Sequence, residues 1–337
     1  MCGSMADETK FGRKANVAVI GVGNMGKHHA RVYSGLDEAN LVAVCDTELE
    51  KAEEIAKRFG CGAYADYQKM LENENIDAVS VAVPTKFHSE VALHCIKRGV
   101  HVLIEKPLAD SIENAQAIID AASEKNVILM AGHIERFNPA VQKLKAMIDS
   151  GELGAITSVI ARRVGVFPPQ IRDANVIIDL AIHDIDIFNY LLGKEPVKVN
   201  VNSGRALINQ RDDFADMLLD YGGTNAFVQV NWITPVKIRG LAVTGTKGYA
   251  ELNYITQELV VHKSRFRNID DFNDVVEFGT PEKCVIRVEK AEPLRLELAH
   301  FIGCVTSGKQ PLVTGRDALS ALRVALNAIE TSGDENV

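Results

Sequence analysis

The stretch Gly21-x-Gly23-x-x-Gly26 limits the fold of this chain more than any other feature, because of what flanks it. Residues 16–22 are a short β-branched run, and the residues from Asn24 onward propagate as a helix. The glycines therefore fall where a strand turns into a helix. Gly21 permits a tight turn, Gly23 lets a phosphate approach the backbone, and Gly26 allows close packing of the helix. The helix N-terminus attracts negative charge, so the loop reads as a pyrophosphate cradle formed by Gly21, Gly23, Asn24, Met25 and Gly26. Asp46 ends the next apolar run, about 20 residues beyond the loop, where an acid accepts hydrogen bonds from ribose hydroxyls. A carboxylate there repels a 2′-phosphate, and neither Thr47 nor Glu48 offers a compensating cation. The expected cofactor is NAD rather than NADP.

The segments that follow extend this motif into a domain. Apolar runs at 41–46, 78–83, 100–104 and 127–130 alternate with helical patterns at 48–59, 89–98 and 112–125. Continuous apolar strands between helices predict a parallel sheet covered on both faces, a doubly wound Rossmann fold. After about residue 150 the pattern changes. Strand-like runs at 156–166, 197–201, 214–220, 226–233, 241–244 and 258–262 predict a large open mixed or antiparallel sheet. Helices at 176–192, 294–307 and 317–330 would lie on one face of it, making an α+β domain. The expected organisation is a tag or disordered leader over 1–14, a dinucleotide-binding domain over 15–133, and a substrate-binding and oligomerisation domain over 134–330.

Two further groups of residues carry chemistry. Glu105-Lys106-Pro107 follows the strand at 100–104, and ligands of such sheets bind beyond the carboxyl ends of the strands. Lys106 thus emerges at the cofactor edge, where an ammonium would stabilise an alkoxide as its proton leaves. On the helix at 176–192, Asp179 and His183 stand at i and i+4 and share a face, with Asp186 close to it. A histidine beside carboxylates has an orienting partner and accepts a proton near neutral pH. One histidine with two acids is an incomplete zinc set, so no metal is expected. The six cysteines form no C-x-x-C pair and read as reduced thiols.

A formal net charge of −8 disfavours nucleic acid and anionic membranes as partners, leaving a small-molecule ligand. No apolar run approaches the roughly 20 residues that span a bilayer, and a cytoplasmic location is expected.

Together, the glycine fingerprint, Glu105-Lys106-Pro107, Gly132-His133-x-x-Arg136-Phe137, the Asp179-x-x-x-His183 helix and His300-Phe301 with Gly308-Lys309-Gln310-Pro311 resemble the Gfo/Idh/MocA oxidoreductases. The resemblance implies hydride transfer from a sugar or cyclitol carbinol carbon to nicotinamide, with Lys106, Asp179 and His183 in the catalytic positions. His183 is then the general base, Asp179 its electrostatic partner and Lys106 the stabiliser of the alkoxide, with Lys106 the other candidate for the base. It also implies cofactor contacts at Pro84, His88 and Glu105, and assembly into a homo-oligomer, a dimer or tetramer, through the open sheet. The phrase from Gly132 to Pro139 is most similar to the nucleotide-sugar 3-dehydrogenases of that family, which implies a UDP-linked N-acetylhexosamine oxidised at C3. Arg136, Arg162, Arg163 and Arg172 are the candidate cations for its diphosphate. Arg162 and Arg163, adjacent on a strand, must face opposite sides of the sheet, and Arg163 is assigned to the substrate with Arg136. An inositol or monosaccharide dehydrogenase and a non-catalytic NAD-binding sensor are the alternatives.

Overall fold

Alternation of strand and helix dominates the N-terminal part of the computed structural model, which describes residues 14–166, 175–208, 210–270 and 275–333. The expected leader, Lys14 apart, lies outside the described residues, as does Arg172. The first strands and helices are β1 (Ala15–Ile20), α1 (Gly26–Ser34), β2 (Ala39–Cys45), α2 (Leu49–Phe59), β3 (Gly62–Tyr64), α3 (Tyr67–Asn73), β4 (Ala78–Val81), α4 (His88–Lys97), β5 (His101–Glu105), α5 (Ile112–Lys125) and β6 (Leu129–Gly132). The strands form a six-stranded sheet in the order β3-β2-β1-β4-β5-β6, every pair parallel. That order reverses direction next to β1, which creates the crevice where nucleotides bind in such sheets. Val17, Val19, Val79, Val102 and Ile104 are fully buried, as strands covered on both faces require. Helix boundaries follow local chemistry: Ser111 caps α5 by accepting from the Asn114 amide at 3.1 Å, and Asp66 caps α3 through the Gln68 amide at 2.8 Å.

The remaining elements are α6 (Pro139–Asp149), β7 (Ile156–Val164), α7 (Ile182–Leu192), β8 (Lys198–Gly204), β9 (Phe214–Asp220), β10 (Asn225–Asn231), β11 (Ile238–Gly245), β12 (Gly248–Asn253), β13 (Glu258–Lys263), β14 (Phe266–Asp270), β15 (Val275–Phe278), β16 (Glu282–Ile286), α8 (Pro293–Ser307) and α9 (Gly315–Gly333). Eight strands join in the order β16-β13-β12-β11-β7-β10-β9-β8. Only β7 and β10 pair in parallel, so the sheet is mixed, as the strand-rich sequence predicts. Alternation along β10 puts Ala226, Val228 and Val230 inside and Phe227 and Gln229 outside. The inner face packs against α6, α7 and α9 through Leu144, Ile185, Phe188 and Ala325. Each fully buried side chain of this size contributes roughly 1.5–3 kcal/mol.

Two features depart from the sequence expectation. Helix α7 is preceded by a wide π-type turn over Ile177–Ala181, where a regular helix from 176 is expected. The segment Leu294–Gly315, expected with the second domain, groups instead with the residues up to Gly132. Local pairing explains this: Met130 bridges Thr314, the Ala131 amide donates to Val313 O at 3.2 Å, and Arg295 donates to Gly35 O at 3.0 Å. The segment thereby occupies the β6 edge, whose backbone groups would otherwise lack partners. The second unit comprises His133–Pro293 and the residues from Arg316 onward.

Candidate active site

The glycine loop is shaped by contacts that exclude any side chain. Gly21 has φ of +86°, and a Cβ there would lie 2.7 Å from Ala82 O; at Gly26 a Cβ would lie 1.7 Å from Gly21 O. The loop is therefore pressed against both the end of β4 and the first turn of α1. A Cβ on Gly23 would meet nothing within 4 Å, so the backbone there faces open space. Asn24 is exposed, and the Met25 carbonyl accepts from the His28 and His29 amides at 2.8 and 3.1 Å. The first amides of such a helix have no intrahelical acceptor and present positive dipole ends.

Asp46 is fixed beside this loop. Its Oδ2 accepts from the Val22 amide at 3.0 Å and its Oδ1 from the Glu48 amide at 3.0 Å. It borders a cleft of about 460 Å³ whose lining includes Gly21, Gly23, Tyr67, Val83 and Pro84. A carboxylate at the rim, apolar walls and an open glycine backbone fit the adenosine half of NAD. Lys51, not picked out in the sequence, also reaches this cleft, where Glu48 Oε1 holds its ammonium at 2.5 Å.

Glu105 and His88, both expected at the cofactor, are instead buried supports. His29 Nε2 lies 2.8 Å from Glu105 Oε1, His29 Nδ1 lies 3.0 Å from Ser80 Oγ, and Tyr33 Oη lies 2.8 Å from the same hydroxyl. The other Glu105 oxygen accepts from the Lys106 amide at 3.2 Å. Burial would push the Glu105 carboxyl up, but the His29 hydrogen bond, the His29 charge and Lys106 outweigh it and hold it below its ordinary range. Gly132 makes room for this group, since a Cβ there would come within 3.2 Å of Glu105 Oε2. His88 Nδ1 lies 2.9 Å from Pro107 O and its Nε2 lies 2.9 Å from Val83 O, so the ring ties the loop after β4 to the one after β5. Burial lowers its basicity, opposed by those carbonyls. Lys106 itself is half-buried at the end of β5.

In the second unit, the acids of α7 divide by function. Asp184 receives Arg163 bidentately, Nε at 2.8 Å and Nη2 at 3.0 Å, and Glu135 takes the same guanidinium's Nη1 at 2.9 Å. Asp186 receives Arg136 in the same way, at 2.9 and 2.7 Å, while Asp317 lies 3.2 Å from its Nη1. Arg163 also lies over the Tyr254 ring and Arg136 over Tyr190. Burial alone would lower the basicity of both arginines, but their carboxylate partners raise it, well above the ordinary value for Arg163. Both arginines, expected to hold substrate, are thus buried with their donor forks filled by acids. Asp186, read in sequence as a neighbour of His183, faces Arg136.

Asp179 lies within the wide turn, 9% exposed, and accepts from Trp232 Nε1 at 3.3 Å. Such turns recur at functional sites, and this one rotates Asp179 away from where a regular helix would place it. Asn175 starts the turn by accepting the Ile178 amide at 3.0 Å. His183 is half-buried on the first turn of α7. Arg211 stacks on the other participant, its guanidinium 5.6 Å from the Trp232 ring centre. Trp232 and Arg211 were missed in the sequence; only the rarity of tryptophan, one in the whole chain, pointed to the former. The strand alternation expected for Arg162 and Arg163 holds: Arg162 is exposed and Arg163 buried.

The described cysteines are all unpaired, and burial pushes the Cys45 and Cys95 thiols up to about 12, which suppresses the reactive thiolate. Among the described residues no group of His, Cys, Asp and Glu is arranged to hold a metal ion, and no helix is long and apolar enough to cross a membrane.

This combination of a parallel nucleotide-binding sheet and an acid–histidine helix over an open sheet defines a class of NAD-dependent dehydrogenases. Comparison with known proteins gives the family. Residues 15–133 match the oxidoreductase family with an NAD-binding Rossmann fold, and residues 141–251 match the GFO/IDH/MocA C-terminal domain. The chain belongs to the Gfo/Idh/MocA family and is an NAD-binding dehydrogenase of CH–OH groups. It is 30% identical to UDP-N-acetylglucosamine 3-dehydrogenase of Acidithiobacillus ferrooxidans, over 92% of this chain and 96% of that one. It is 32% identical to scyllo-inositol 2-dehydrogenase (NAD(+)) of Bacillus subtilis, over 92% of each. The solved structure of the Acidithiobacillus enzyme superposes with a TM-score of 0.83 at 28% identity, covering 95% of this chain and 98% of that chain.

Asp46 should make the protein prefer NAD to NADP by about tenfold or more, a difference of roughly 1.4 kcal/mol, as measured by dissociation constants for the two cofactors. Equal affinities would remove the ribose-binding role from Asp46.

Proposed function

We propose that this dehydrogenase oxidises the C3 hydroxyl of a UDP-linked N-acetylhexosamine. The observation that carries the catalytic part is the locked helix: Asp184 and Asp186 are spent on Arg163 and Arg136, which fixes the rotation of the element bearing Asp179 and His183. The likeness to the Acidithiobacillus 3-dehydrogenase, extending over nearly both chains, supports the substrate.

When bound, NAD supplies the hydride-accepting carbon. The backbone of Gly21, Gly23, Asn24, Met25 and Gly26 holds the pyrophosphate, Asp46 the ribose hydroxyls, and Pro84 lines the adenosine cleft. His183 takes the proton of the reacting hydroxyl, Asp179 favours the imidazolium that forms, and the Lys106 ammonium stabilises the developing alkoxide. Trp232 orients Asp179 through its indole N–H. Arg136 and Arg163 act as positioning residues, because a guanidinium filled by carboxylates has no fork left for a diphosphate.

The outer face of the large sheet exposes Ile160 and Phe227, at 49% and 44%, and a second copy of this chain is the occupant we assign to it. A cytoplasmic location accords with the reduced thiols.

Lys106→Ala and His183→Ala should each lower turnover by at least about a hundredfold while NAD still binds, as steady-state rates and cofactor titrations would report. Near-normal turnover in either variant would refute that residue's role.

With saturating NAD, UDP-N-acetylglucosamine should show kcat/KM at least about tenfold above free N-acetylglucosamine and inositol, since the diphosphate contributes remote binding energy. Equal or better use of inositol would favour a cyclitol dehydrogenase, the reading supported by the identity to the Bacillus enzyme.

A further inference from the structure

Asp213 is an ionisable side chain with no place in the chemistry described so far. It precedes β9, is 0% exposed, and its carboxylate is taken up by the backbone of the connection from β8. Oδ1 accepts from the Ala206 amide at 2.9 Å, and Oδ2 accepts from the Leu207 and Ile208 amides at 2.6 and 2.7 Å. Three successive amides around one anion form a concave nest. The connection that supplies them reaches solvent, with Leu207 71% exposed. Burying a carboxylate costs stability even when it is well hydrogen-bonded, and an exposed connection can turn on Asn, Ser or Gly without that cost. Closing a surface loop is therefore a weak reason to keep this acid.

The main chain around Asp213 reaches further than the loop. Its amide donates to Gly204 O at 2.9 Å, which ties it to the end of β8, and its carbonyl accepts from the Trp232 amide at 2.9 Å, just beyond the Phe214–Asn231 pair of β9 and β10. The neighbouring Asp212 carbonyl accepts from the Val176 amide at 3.2 Å, and Val176 immediately precedes the wide turn at Ile177–Ala181. Asp212 is itself held at β8, its carboxylate accepting from Ser203 Oγ at 2.5 Å and from Arg205 Nε at 3.3 Å. Two consecutive carbonyls thus anchor both partners of one hydrogen bond. Trp232 donates it through Nε1, and Asp179, carried by the turn, accepts it on Oδ2. At 3.3 Å, against about 2.9–3.0 Å for a typical N–H···O contact, that bond has little room to lengthen.

We propose that Asp213 is a positioning residue for Asp179: by capturing three loop amides it fixes the Asp212–Asp213 backbone, and that backbone holds the Trp232 indole against the Asp179 carboxylate. Without the clamp the connection from β8 is free to move, and both anchors loosen together. A displacement of about 1 Å at a reacting group can cost about a hundredfold in rate, so turnover is the quantity at stake. The Arg211 guanidinium, carried by the same connection, lies 5.6 Å from the Trp232 ring centre, a second route by which order in the loop reaches the indole. The adenosine cleft is lined by residues of the first unit, so NAD binding does not depend on Asp213. Trp232 is the one tryptophan of the chain, and its emission therefore reports this site alone.

The inference rests on the proposed role of Asp179, and the test separates the two. Amide-resolved hydrogen exchange of the full-length protein probes the clamp without mutation. The Leu207 and Ile208 amides should exchange at least about tenfold more slowly than free-chain amides, as groups held by a buried acceptor do; free-chain rates there would overturn the clamp. D213N replaces an acceptor oxygen with a donor. It should lose about tenfold or more in kcat, with the NAD dissociation constant unchanged and the Trp232 emission more open to acrylamide quenching. Parental kcat or parental quenching in folded D213N would overturn the positioning role, whatever the stability of the variant. Should D213N not fold, A206P takes its place, since proline at this exposed residue deletes one donor and leaves the buried acid intact. It should lose about threefold in kcat with increased quenching, and parental values of either would overturn the proposal. Near-parental turnover in Asp179→Ala would sink the catalytic role of Asp179 instead, and the exchange and quenching results then decide the clamp on their own.

Discussion

Two buried arginine–aspartate pairs, Arg163 with Asp184 and Arg136 with Asp186, are what the candidate active site depends on. Each joins α7 to a different part of the second unit, Arg163 from the sheet strand β7 and Arg136 from the turn after β6. A helix buried on several sides by Ile182, Ile185, Ile187 and Phe188 gains little rotational preference from its apolar contacts. Bidentate forks have one geometry, so they supply the register that hydrophobic packing leaves loose. The cost is the desolvation of four charged groups, and replacing such pairs with apolar residues often leaves stability unharmed. Positioning rather than stability is the reason to keep them.

At the nucleotide loop the constraint is steric. The backbone approaches itself so closely at Gly21 and Gly26 that only hydrogen fits, while Gly23 faces open space. Asp46 is held by backbone amides on either side, which orients an acid without burying it.

Much of this was readable in the sequence because its causes are local. The glycine spacing, the acid at the end of β2 and the apolar strand before Lys106 each lie within one strand–turn–helix, whereas the i to i+4 relation expected of Asp179 and His183 on a regular helix is altered by the wide turn at Ile177–Ala181. The fates of Arg136 and Arg163 were not readable, since whether a buried cation meets a ligand or an acid depends on partners 21 to 50 residues away. The same holds for Trp232, whose indole reaches Asp179 across 53 residues, and for the segment after α8, where Thr314 bridges Met130 at the β6 edge. His88 has the position expected of a cofactor contact, yet its ring is taken by two carbonyls that come together only in the fold. The wide turn at Ile177–Ala181 leaves no mark in the hydrophobic pattern, because its residues are apolar on nearly every side.

Whether these ion pairs hold the helix bearing Asp179 and His183 is decided by the combined substitution Arg163→Met, Asp184→Leu and Glu135→Gln, which removes the guanidinium together with both carboxylates it meets. The expected result is an unfolding free energy within about 2 kcal/mol of the parent, an unchanged NAD dissociation constant, and turnover reduced by about tenfold or more through misplacement of Asp179 and His183. A variant with all three substitutions that folds, binds NAD and turns over at the parental rate would contradict this positioning role.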